Sequence, residues 1–206
     1  MHEINNINKN KLDFFHKKGF LILRNVLKKK DLDLINKRLK FLEKKQKNAW
    51  GLNEPGVKKS LIHSLKNDEV LYPIIEEKNW FKETLKKILN CEEIVCWNAK
   101  SNLKKRWNGT VEYYHQDNAY REKLNFGENM TNCMIFVDDH SHLNGGLWVF
   151  PGSHKKKYKH TAFLNINSMQ KYFIPPKELD KISKRHKPTY INEKKGSCIF
   201  FHNLLI

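Results

Sequence analysis

The sequence predicts an α+β fold, with helices first and then short strands that close into a β-sandwich or barrel buttressed by those helices. Two observations carry this. Up to about residue 90, apolar residues recur at helical spacing. From Cys91 onward they form short runs separated by turn signals, among them Asn108-Gly109, Asn144-Gly145 and Pro151-Gly152.

The elements follow in order. Asn8 to Lys18 reads as a helix with Leu12, Phe14 and Phe15 on its apolar side, stopped by Gly19. Phe20-Leu21-Ile22-Leu23 suits a buried strand. Asp31 caps a helix running to about Lys47, with Leu32, Leu34, Ile35, Leu39 and Leu42 inward and lysines on a solvated face. Ala49 to Gly56 reads as a loop, Leu61 to Leu65 as a short helix, and Glu69 to Glu77 as another. Trp80 to Leu89 is amphipathic, with Phe81, Leu85, Ile88 and Leu89 inward.

Beyond Cys91, Trp107-Asn108-Gly109-Thr110 is a hairpin signal that returns the chain into a strand, Val111 to His115. Thr131 to Val137 is a further strand, and Leu143 to Gly146 turns it into Leu147-Trp148-Val149-Phe150, whose alternation fits a strand packed on both faces. Gly196 to Phe201 is a last strand. Lys155 to Lys195, Lys-rich and carrying Pro175-Pro176 and Pro188, reads as a largely irregular insertion with one or two short helices, which suits a lid and a surface decoration equally.

A chain of 206 residues supports one domain with a real core. We expect a mainly helical part over 1–90 and a β part over 91–206, with the lid-like insertion at about 155–195. The net charge is +17, from 39 basic and 22 acidic residues. The lysines are spread along the chain beside abundant Asn and Ile, and no nucleic-acid-binding motif accompanies them, so no nucleic-acid partner is expected. Cys91, Cys96, Cys133 and Cys198 form no C-x-x-C pair, which argues against a zinc knuckle and for free thiols. The first residues lack the apolar core of a signal peptide, and no apolar run suits a membrane span. The expectation is a cytoplasmic protein with no membrane partner.

The chemistry centres on Tyr113-Tyr114-His115-Gln116-Asp117-Asn118, which holds the one His-x-Asp of the chain. On a strand, residues two apart point to the same face, so His115 and Asp117 are placed to grip one metal ion. A third ligand would complete the facial triad of non-haem Fe(II) oxygenases. Taken alone, the pattern fits a surface His beside a loop Asp better than a metal site. His140 and His142 share the same spacing but sit among turn residues, which suits a solvated loop.

Several phrases now combine: Gly19 to Leu27, His115-Gln116-Asp117, Asp138-Asp139 through Asn144-Gly145-Gly146 to Phe150-Pro151-Gly152-Ser153-His154, and Gly196 to His202. With them the chain resembles the phytanoyl-CoA dioxygenase family. That resemblance implies a double-stranded β-helix (jelly-roll, cupin-like) core with N-terminal helices packed outside. It also implies an oxygenase using Fe(II), 2-oxoglutarate and O2 to hydroxylate a small organic substrate. Carried over by position, His115 and Asp117 become the first two iron ligands. Asn98 and Asn102, four apart and so on one side of a strand, match positions that contact 2-oxoglutarate in the ectoine-hydroxylase branch. His154 would fix the turn after Pro151-Gly152.

The family's third ligand, a His, would fall immediately after Ile206, and its carboxylate-binding Arg further on. His202 is a neighbour of the site in that pattern, not a ligand. The resemblance therefore implies a chain truncated at its C-terminus, lacking C-terminal strands and short of a competent oxygenase. The strand from Gly196 would be left with an unpaired edge beside Leu204-Leu205-Ile206. Two other readings stand beside the oxygenase: a catalytically inactive β-helix protein that binds a small molecule, and a basic nucleic-acid-binding domain with an incidental metal motif. Substrate identity and oligomeric state are not legible.

Overall fold

Helix α1 (Lys9–Lys18) begins and ends where its caps dictate. The computed structural model describes residues 7–45, 59–62, 65–104, 112–121, 129–162 and 172–206. In it the Asn8 side chain accepts the Lys11 N–H at 3.0 Å, and Gly19 takes φ 84° while its own N–H reaches the Phe15 carbonyl. Glycine is required there twice over. The backbone is left-handed, and an added Cβ would stand 2.5 Å from His154 Nδ1. The reversal feeds β1 (Phe20–Leu23) directly into the sheet.

Helix α2 (Lys29–Lys45) buries Leu32, Ile35 and Leu39 and leaves its lysines outside. Leu34, read as inward, is exposed, because the buried stripe is narrower than the run of apolar residues. Two shorter helices follow, α3 (Leu71–Glu76) and α4 (Asn79–Leu89). On α4 Trp80, Thr84 and Ile88 are buried, with Phe81, Leu85 and Leu89 packed at the margin.

The expected helix over Leu61 to Leu65 is not formed. Lys59–Ile62 is instead a strand, β2, antiparallel to β3 (Ser101–Lys104), with Leu61 opposite Asn102. A partner some forty residues away overrides the local spacing. The loop at Ala49 to Gly56 and the hairpin at Trp107 to Thr110 lie outside the described residues.

The central sheet has the order β1–β9–β4, with β4 at Thr131–Ile135 and β9 at Cys198–His202, all antiparallel. Strand β9 is sandwiched on both faces. Cys198 and Phe200 point into the helix-side core with Leu21, Leu23, Ile35, Leu39, Trp80 and Ile88. Ile199 points the other way, to Phe20, Phe136, Val149 and Ile191. Burial on both sides explains why Cys198 to Phe201 reads as a continuous apolar run.

The edge expected beside this strand is absent. β9 has a partner on each side, and Leu204, Leu205 and Ile206 are buried. Ile206 donates its N–H to Ser153 Oγ at 3.0 Å and accepts the Phe150 N–H at 2.7 Å.

The segment from 155 to 195 is more regular than its composition suggests. It holds paired strands β6 (Thr161–Ala162) and β7 (Tyr172–Phe173), helix α5 (Pro176–Arg185), and strand β8 (Thr189–Tyr190). Pro176 opens α5, where a missing N–H costs nothing. Strand β8 pairs with β5 (Trp148–Val149). Ile174 and Ile182 build a further core with Phe150, Tyr158 and Ile206. On β5 the two-faced burial holds for Val149 and then Phe150, but Trp148 is exposed and rests edge-on against Tyr190. All four cysteines are free, and no helix among the described residues is long and apolar enough to cross a membrane.

Candidate metal centre

His115 and Asp117 meet, but not on a strand. Residues 112–116 belong to no sheet among the described residues, and Asp117 opens a 3-10 turn, Asp117–Tyr120. One extended residue suffices to put its two neighbours on the same side. Gln116 has φ −102° and ψ 130°. The result is a His115 Nε2 to Asp117 Oδ1 separation of 3.4 Å, with both side chains partly exposed.

Gln116 points the opposite way and is fully buried. Its Nε2 donates to the Lys156 carbonyl at 2.8 Å and the Leu204 carbonyl at 2.6 Å, and its Oε1 accepts the Tyr158 N–H at 2.9 Å. Its backbone N–H donates to His160 Nε2 at 2.9 Å. Asn118 adds a backbone bond to the Asn203 carbonyl at 3.0 Å. The motif is thus fastened to the residues following β9 and to the start of the 155–195 segment. Sequence reasoning assigned Gln116 no role. Its place between the two candidate ligands was the one available signal.

The outer atoms of the pair are tethered too. His115 Nδ1 bonds the Tyr113 carbonyl at 2.8 Å, which leaves Nε2 toward Asp117. Asp117 Oδ2 accepts from Asn132 Nδ2 at 2.8 Å, and Asn132 Oδ1 accepts from Arg121 Nη2 at 3.2 Å. Burial pulls the His115 imidazole down, but the Asp117 carboxylate and the Tyr113 carbonyl outweigh it, so its pKa lies above the ordinary value. Burial likewise pushes the Asp117 carboxyl up, and His115, Arg121 and Lys100 together hold it below the usual range.

This donor set fits a divalent metal. One imidazole nitrogen and one carboxylate oxygen face each other, and each group's second polar atom is held by protein, as metal ligands require. No third His, Cys, Asp or Glu joins them among the described residues. His202 in particular lies against the His154 ring, at 5.3 Å between centroids, and its Nδ1 accepts the Leu204 N–H.

Asn98 and Asn102 are not aligned on one strand, since β3 begins at Ser101. Both are exposed. Lys100 between them is near enough for its charge to act on His115 and Asp117, so this stretch runs beside the motif. An aromatic wall stands on another side. Tyr120 makes an edge contact with His115 at 5.6 Å, Tyr172 with Tyr120 at 5.2 Å, and Phe173 lies 6.1 Å from Tyr113.

Histidines elsewhere among the described residues have structural partners. His140 Nε2 accepts the Leu147 N–H at 2.7 Å and its ring stacks on Phe136, so it is no solvated loop residue, whereas His142 is exposed. His154 bonds the His16 carbonyl at 3.1 Å and fastens the turn at 151–154 to α1. A cavity of about 210 Å³ bounded by Phe15, His16, Leu89, Met130 and His202 touches neither His115 nor Asp117.

Solved structures share this architecture. EctD from S. alaskensis, crystallised with 2-oxoglutarate and 5-hydroxyectoine, is 16% identical with a TM-score of 0.75, over 97% of this chain and 68% of that one. The same protein has been crystallised with bound Fe. SnoK, a non-heme alpha ketoglutarate dependent carbocyclase from nogalamycin biosynthesis, is 12% identical with a TM-score of 0.70, over 98% of this chain and 77% of that one. EvdO2 from Micromonospora carbonacea var. aurantiaca is 14% identical with a TM-score of 0.68, over 100% of this chain and 84% of that one. The likeness shows the fold, helices packed outside a double-stranded β-helix core. No curated protein sequence matches the chain. The family model described as phytanoyl-CoA dioxygenase (PhyH) matches residues 15–206, and the chain therefore belongs to the phytanoyl-CoA dioxygenase family.

Proposed function

We propose that this protein binds Fe(II) through His115 and Asp117 and uses 2-oxoglutarate and O2 to hydroxylate a small organic substrate. The observation that carries this reading is the facing of His115 Nε2 and Asp117 Oδ1 at 3.4 Å, each group held from behind by protein. A bound Fe(II) supplies open coordination positions and the redox chemistry for O2. The overall reaction balances: 2-oxoglutarate, O2 and a C–H compound give succinate, CO2 and the alcohol.

The chain's own residues have three tasks in it. His115 turns Nε2 to the metal, because Nδ1 keeps its proton in the bond to the Tyr113 carbonyl. Asn98 and Asn102, polar and exposed beside Lys100, are assigned to the anionic co-substrate. Tyr113, Tyr120, Tyr172 and Phe173 form an apolar wall that limits water at the metal, which gives the 155–195 segment the role of a lid. Four free cysteines suit a reducing cytoplasm.

The test measures Co(II) or Fe(II) binding and succinate formation on the full chain. His115→Ala and Asp117→Ala should each lower metal affinity at least tenfold, while His142→Ala should not. In the same assay Asn102→Ala should raise the 2-oxoglutarate requirement several-fold without changing metal affinity. Equal weakening by His142→Ala and His115→Ala would sink the assignment.

A further inference from the structure

We propose that Asn132, locked by Arg121, is the residue that positions Asp117 for metal binding. The proposal rests on the reading of Asp117 as a metal ligand and adds two residues that no sequence motif marks. The bridge runs from Arg121 Nη2 to Asn132 Oδ1, 3.2 Å, and from Asn132 Nδ2 to Asp117 Oδ2, 2.8 Å. A guanidinium only donates and a carboxylate only accepts. A primary amide between them satisfies both, and in one orientation alone. Were the Asn132 amide turned over, its NH2 would face the guanidinium and its oxygen would face the carboxylate. Arg121 therefore decides which end of Asn132 Asp117 meets.

The consequence falls on the metal ligand. Oδ2 of Asp117 is engaged, its plane is fixed, and Oδ1 is the oxygen turned to His115. Both helpers stand on firm ground. Asn132 is on β4, paired to Phe201 of β9. Arg121 follows the 3-10 turn of the motif itself, with its N–H on the Asn118 carbonyl at 2.9 Å. Arg121 Nη1 is buried with no hydrogen-bond partner among the described residues. A buried donor left in that state is costly to stability, and an orienting role accounts for keeping the arginine there.

The experiment is a Co(II) titration followed by visible absorption, with a thermal melt of each variant of the full chain. Asn132→Leu removes the bridge while keeping the branching and heavy-atom count of the side chain and should weaken Co(II) binding roughly 10- to 100-fold, with a changed Co(II) spectrum. Arg121→Met leaves Asn132 free to turn over and should weaken binding by a smaller, several-fold factor, which Arg121→Lys should largely restore. Because the bridge from Arg121 runs through Asn132, adding Arg121→Met to Asn132→Leu should cost less than Arg121→Met alone, what remains being the direct charge of the guanidinium on Asp117. Wild-type affinity and spectrum in Asn132→Leu, whatever its melting temperature, overturns the proposal, as does an additive double variant. If Asn132→Leu does not fold, the Arg121→Met and Arg121→Lys pair decides alone: equal affinity in both overturns it. A His115→Ala control separates the two layers, since unchanged affinity there removes the metal reading itself and this proposal with it.

Discussion

Gln116 stands between the two candidate ligands and faces away from both. Its amide uses both ends, donating to two carbonyls and accepting one N–H in a site from which water is excluded. Gln116→Ala removes three bonds and leaves the Leu204 carbonyl and the Tyr158 N–H buried and unpaired, so we expect about 3 kcal/mol of lost stability. Urea unfolding of the variant measures it, and a loss under 1 kcal/mol would show that water or a shifted backbone takes over these bonds. The meeting of His115 with Asp117 was legible, because an i, i+2 pair places its side chains by local geometry. Gln116 and Asn132 were not. Their roles depend on Lys156, Leu204 and Arg121, which approach only once the chain has folded.

Helix α3 is six residues long, too short to form without help. The help comes from Asp68, which accepts the Val70 N–H at 3.1 Å and the Leu71 N–H at 2.9 Å, and takes Arg38 of α2 at 3.0 Å. Burial raises the Asp68 carboxyl, but the two N–H groups and the guanidinium outweigh it and hold its pKa below the usual carboxylate range. A carboxyl depressed in the folded state stabilises above its unfolded pKa, about 3.9, and that contribution is lost as pH falls through the folded value. Asp68→Asn should therefore cost about 2 kcal/mol near pH 7 and flatten the acid limb of the stability curve below about pH 4. Parallel curves for the two proteins would show that the charge is not what matters. Elements with their own punctuation were read correctly: α1 between Asn8 and Gly19, and α4 up to Leu89 before the left-handed Asn90. Those made by a distant partner were not. Lys59–Ile62 becomes a strand through Ser101–Lys104, and Thr189–Tyr190 through Trp148–Val149, two residues being too few to carry a period.

Across the molecule, the residues after β9 lock three regions together. Leu204, Leu205 and Ile206 are buried, and their backbone meets Gln116, Phe150 and Ser153. Replacing all three by Ala removes about 2 kcal/mol or more at each position. The total of about 6 kcal/mol or more lies within the whole stability of an ordinary domain. We expect the variant to lose its cooperative thermal transition and its near-ultraviolet dichroism. A sharp melt within a few degrees of the unsubstituted protein would show that these side chains are peripheral. The order of the phrases from Gly19 to His202 was enough to identify the architecture. The inward packing of residues 204–206 was not legible, because an apolar run reads alike at a frayed edge and in a core.

Strand β9 also fixes a clock. It is the last strand described, yet it stands between the other two, and Leu23 meets its partner Cys198 across about 175 residues of chain. At roughly 5–20 residues per second, a ribosome needs about 10–35 s to travel that distance. Throughout that interval β1 lacks the strand it pairs with, and β4, once translated, waits for the same strand. The newborn polypeptide therefore carries two open strands until translation has passed residue 202, and the cell's folding machinery has that interval in which to hold it.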